Sequence, residues 1–162
     1  MDTNKLRPSE IVGCIAGVIL VLSLLFLPWY DLAENPERAA GNGFICGTGE
    51  YSCTGFETFP ILRWLLIGAA AAPLILAWIV VRGHKLSWPP GEMTMVVGFT
   101  AFVLIFYNGI IDPPGSQIEE IGVTEATGYY VALLGSIGIA GAGIARAMEA
   151  QKGNLRRTPG TV

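Results

Sequence analysis

Four long apolar runs, broken by polar stretches, set the pattern of the chain. They are "IVGCIAGVILVLSLLFLPWY" at 11–30, "ILRWLLIGAAAAPLILAWIVV" at 61–81, "MTMVVGFTAFVLIFYNGII" at 93–111, and an alanine- and glycine-rich run at 128–146. Each is close to the ~20 residues that carry an α-helix across a ~30 Å hydrocarbon layer. Apolar residues occupy every side of these runs, so neither amphipathic helices nor alternating strands fit them. The pattern predicts an all-α integral membrane protein: four transmembrane helices forming one domain over residues 1–149. Two outer loops, 31–60 and 112–127, and a disordered cytoplasmic tail at 150–162 complete the expected layout.

Composition agrees. The 162 residues are 52% hydrophobic and only 14% charged, against about 25% charged in a soluble domain. The first run is too long for the apolar part of a cleaved leader and ends in "LPWY", not in a small-residue cleavage site, so it is expected to stay as a helix. In "RPSE" ahead of it, Ser9 is the expected helix cap and Glu10 falls in the first turn. Trp29, Tyr30, Trp64, Trp78, Tyr107, Tyr129 and Tyr130 lie near the ends of the runs, where amphipathic aromatics anchor at the membrane–water boundary.

Charge then orients the layout. Lys5 and Arg7, Arg82 and Lys85, and Arg146, Lys152, Arg156 and Arg157 fall on one side of a four-pass path, which gathers 8 of the 10 basic residues. Arg38 and Arg63 fall on the other, among Asp31, Glu34, Glu37, Glu50, Glu57, Asp112, Glu119, Glu120 and Glu125. The excess of lysine and arginine places both termini in the cytoplasm, and the plasma membrane is the expected location. No basic cluster with interleaved aromatics points to nucleic acid.

Candidate chemistry is sparse. Cys46 and Cys53, in "GFICGTGEYSCTGFETF", fall on the outer side, where disulfides persist. Six residues separate them, enough for the chain to reverse, and Gly47 and Gly49 suit the turn. A stapled loop is the leading expectation. A metal site lacks ligands, because His84 and Cys14 belong to the other side. Thiol–disulfide or quinone-linked redox chemistry would use the same pair but lacks C-x-x-C spacing. Thr54 and Glu57 fit a capping box for a short helix. With Phe44, Tyr51, Phe56, Glu57 and Phe59 they make the expected recognition surface of an acidic outer cap.

Within the runs, ionisable residues are nearly lacking, which argues against a coupled transporter. Gly128, Ala132, Ser136 and Ala140, with Gly135 and Gly138 beside them, form small-residue faces suited to close helix packing, either against "GAAAAP" of the second run or against a partner. Pro73 should kink the second run.

The motifs "FLPWY", "TGFETF" and "DPPG" resemble those of small four-pass membrane proteins common in actinobacteria, and that resemblance implies topology without a particular activity. The layout is also similar to claudin-like tetraspan proteins, with Phe44 ahead of a tighter cysteine pair. The expectation is a non-enzymatic accessory or structural subunit without cofactor or metal. Its partners would be the bilayer and either further copies or another membrane protein. A membrane oxidoreductase using Cys46 and Cys53, and a small-solute or lipid-handling protein using the kink at Pro73, are the alternatives.

Overall fold

A computed structural model describes residues 7–32, 52–83, 89–114 and 123–155. Four of its helices are long and apolar enough to cross a membrane. In chain order the elements are α1 (Pro8–Phe26), β1 (Pro28–Leu32), β2 (Ser52–Thr54), the single-turn α2 (Gly55–Thr58), α3 (Leu62–Val81), α4 (Pro90–Phe106) continued by a π-turn (Tyr107–Ile111), β3 (Val123–Glu125) and α5 (Thr127–Leu155). The strands form an antiparallel sheet of order β2-β1-β3. The all-α expectation is therefore corrected: a small sheet caps the bundle at the end where α1 finishes and α3 begins.

Proline decides where α1 stops. The residue before a proline is pushed out of the α region, and Leu27 is extended at φ −98°, ψ 142°. The helix closes with Leu27 N–H donating to Ser23 O, and the last residues of the expected first span become β1. At the start, Pro8 takes the first helical position, suited to its missing N–H. Arg7, not Ser9, is the cap residue, and the Glu10 carboxylate accepts the Arg7 N–H at 3.0 Å. Pro90 opens α4 in the same way, three residues before the expected start. The helix α5 runs to Leu155, so 150–155 of the expected disordered tail is helical. Residues 156–162 lie outside the described residues.

Packing follows the small residues. A Cβ on Gly17 of α1 would collide with the backbone of Ala70 in α3. One on Gly98 or Gly143 would collide with the backbone of the facing helix, α5 or α4 respectively. Gly135 and Gly138 of α5 lie against Leu20 and Ala16 of α1. Thus α5 packs along α1 and α4, and α3 packs chiefly on α1. The "GAAAAP" run meets α1, not the small face of α5. Close backbone approach is the usual way membrane helices gain dispersion contacts without a hydrophobic drive. The outward surface is apolar, with Phe26, Trp64, Phe99 and Leu134 among its most exposed side chains.

Candidate functional site

Two polar regions stand out, one at each end of the bundle. At the cap end, Trp29, Tyr30 and Tyr129 are all but fully buried. They are the centre of the cap and do not anchor at a lipid boundary, whereas Trp64, Trp78, Tyr107 and Tyr130 do face outward. A strand normally sends successive side chains to opposite faces. Here the β1–β2 register shifts between Pro28 and Tyr30, and such a bulge lets Trp29 and Tyr30 both turn inward. Phe59 packs edge-on against both, with ring centroids 6.2 and 6.0 Å away, and Tyr129 closes the cluster at 6.3 Å from each.

Polar bonds fix these rings. Trp29 Nε1 donates to Ser23 O at 3.1 Å, and the Ser23 hydroxyl donates to Gly128 O at 2.6 Å. Tyr30 donates its hydroxyl to Asn108 O, inside the π-turn, at 3.3 Å. The Asn108 side chain donates to Leu104 O. Gly109, in the same turn, lies flat against the Tyr129 ring, where any Cβ would overlap the ring. The π-turn and the aromatic cluster are thus one packed unit. Burial, then the neighbouring Tyr129 and Glu125, push the Tyr30 hydroxyl pKa well above its ordinary value.

The expected capping box is present. Thr54 Oγ1 accepts Glu57 N–H, and the Glu57 carboxylate accepts Thr54 N–H at 3.1 Å. The Thr58 hydroxyl donates to Thr54 O. Phe56 is half-buried and lies under the Arg63 guanidinium, 4.6 Å from the ring centroid, while Arg63 Nη1 donates to Phe56 O. Asp31, Glu57, Asp112 and Glu125 are exposed around this cap. Cys53 is buried in β2, opposite Tyr30. Cys46, Phe44 and Tyr51 lie outside the described residues. Among the described residues the free thiol is Cys14, whose Sγ lies 3.7 Å from Pro73 O.

The packing residues sort by helix face. Gly128 lies beneath Pro28 and Trp29, Ala132 and Ser136 are fully buried, and Ala140 faces Gly98. Pro73 is buried against Gly13 and Gly17 of α1. Two apolar grooves open sideways from the bundle, each of roughly 330–340 Å³. One runs between α3 and α4 past Leu65, Gly68 and Thr100; the other runs between α1 and α5 past Ile15, Leu134 and Gly138. Pro73 borders neither of these two grooves.

The opposite end holds a pair that sequence reasoning missed. Arg146 Nη2 lies 2.6 Å from Glu10 Oε1, with side-chain exposures of 13% and 2%. Arg7 and Glu149 form a looser, exposed pair beside it at 3.4 Å. By sequence alone Arg146 groups with the basic residues of the C-terminal tail. The signal lies in helix period: Ala132, Ser136, Ile139 and Gly143 are the buried stripe of α5, and one further step of three lands on Arg146.

No protein-family model, curated protein or solved structure matches the chain.

Proposed function

We propose that this chain is a non-enzymatic membrane subunit whose ordered, acidic cap is a recognition surface for another membrane protein or a further copy of itself. The observation that carries the reading is the interlocked packing of the cap. Four aromatic rings, a three-strand sheet and a capped helical turn are locked together, and Asp31, Glu57 and Glu125 are left exposed on that support. A pre-ordered surface loses little entropy on binding. In this reading the cap faces out of a plasma membrane, both termini are cytoplasmic, and Cys46 pairs with Cys53 to staple the loop entering β2. Cys53 is 1% exposed, which suits a structural staple better than a thiol that must meet a substrate disulfide.

Crosslinking in native membranes, followed by purification and mass spectrometry, tests the reading. The expected result is a defined adduct through the cap, lost when Asp31, Glu57 and Glu125 are replaced by Lys while the monomer still folds. Recovery of monomer alone would sink it. An impermeant amine reagent should leave Lys5 unlabelled in intact cells and label it once the membrane is permeabilised, which checks orientation separately.

A further inference from the structure

At the end of the bundle opposite the cap, helix packing leaves a small cavity of about 10 Å³. Its walls come from all four long helices: Ser9, Glu10 and Gly13 of α1, Pro73 of α3, Thr94 of α4, and Arg146 of α5. That volume is about what one water molecule requires. The lining supplies the polar partners a water also requires. Ser9 is 7% exposed, and its hydroxyl oxygen is buried without a hydrogen-bond partner. Glu10 Oε1 faces Arg146, and Oε2 accepts the Arg7 N–H. Each carboxylate oxygen can accept a further bond.

Charge selects the occupant. Glu10 and Arg146 already neutralise each other, so an added ion would be desolvated with no uncompensated charge to meet. What remains unmet is hydrogen bonding, because a buried hydroxyl without a partner is costly. We propose that the cavity is a built site for one water molecule, which bonds to Ser9 Oγ and donates to the Glu10 carboxylate. The water completes a polar node at the point where α1, α3, α4 and α5 converge.

A density map of the full-length protein, at a resolution that shows ordered solvent elsewhere, tests this directly. The expected result is a solvent peak within about 3.2 Å of Ser9 Oγ and of a Glu10 oxygen. An empty cavity in such a map overturns the proposal. Ser9→Ala supplies a second reading of opposite sign. If the water is bound, losing its partner lowers the thermal midpoint by about 2–4 °C. Alanine is the better helix former, so propensity alone works against that fall. If the site is dry, deleting an unpaired hydroxyl raises the midpoint, and the proposal fails. Exchanging sodium for potassium or choline should leave the wild-type midpoint unchanged; dependence on the cation would show an ion in place of water.

Discussion

At the scale of single residues, the cap depends on side chains that carry one polar atom into an apolar cluster. Tyr30 is the clearest case. Its ring lies among Phe59 and Tyr129, and its hydroxyl reaches the π-turn carbonyl of Asn108. Burial is the main reason its pKa is raised, with Tyr129 and Glu125 adding to it. The sign of the pH effect follows. A tyrosine in the unfolded chain loses its proton near pH 10, while the folded chain keeps it to higher pH. The folded state therefore binds more protons above that point, and stability falls as pH rises from about 10 toward the raised folded value. Tyr30→Phe keeps the ring and removes the titration. Its stability below pH 9 should drop by about 1 kcal/mol for the lost hydrogen bond. Its further loss between pH 10 and 11 should be shallower than wild type, read by chemical denaturation in detergent. Parallel curves for the two proteins would show that Tyr30 does not carry the alkaline loss.

At the scale of elements, helix contacts are set by where glycine allows backbones to touch. Gly98 of α4 and Ala140 of α5 are such a point, whereas Gly68 and Gly141 face open space. Gly98→Val should force α4 from α5 and cost about 1–3 kcal/mol or more. Gly68→Ala should be neutral or slightly stabilising, because alanine is the better helix residue. Thermal midpoints of the two variants in one detergent separate these outcomes. The same contacts show what the sequence made legible. The four long helices could be read because each is a sustained apolar run. The α2 cap could be read because Thr54 and Glu57 have the right spacing and chemistry. The sheet could not, since strands of three to five residues carry too little alternation, and the bulge at Trp29 removes even that. Trp29, Tyr30 and Tyr129 have the composition of interfacial anchors, and only the early stop that Pro28 imposes on α1 distinguishes them. Pro28 was the available signal. Which helix each small face meets was open, because small residues specify close approach without specifying a neighbour.

At the scale of the whole molecule, the chain closes on itself. Among the described residues α1 is the first long helix and α5 the last, yet they pack along their length and are tied at one end by Glu10 and Arg146. A buried pair of this kind need not add net stability, because desolvation offsets attraction. Its removal by halves is another matter. Glu10→Gln leaves the Arg146 charge without its partner, and Arg146→Met leaves the carboxylate, each at a cost of about 3–5 kcal/mol. The double variant Glu10→Gln with Arg146→Met removes both charges and should recover much of that loss. The four proteins form a cycle whose coupling term is expected to be about 0.5–3 kcal/mol. Arg7 and Glu149, exposed beside the pair, provide the comparison: their cycle should return under about 1 kcal/mol. The node joins the first and last long helices, so single substitutions at Glu10 or Arg146 should also lower the unfolding midpoint seen by a probe in the cap. Equal additivity at both pairs would place Glu10 and Arg146 among surface charges and leave the closure of the bundle to glycine contacts alone.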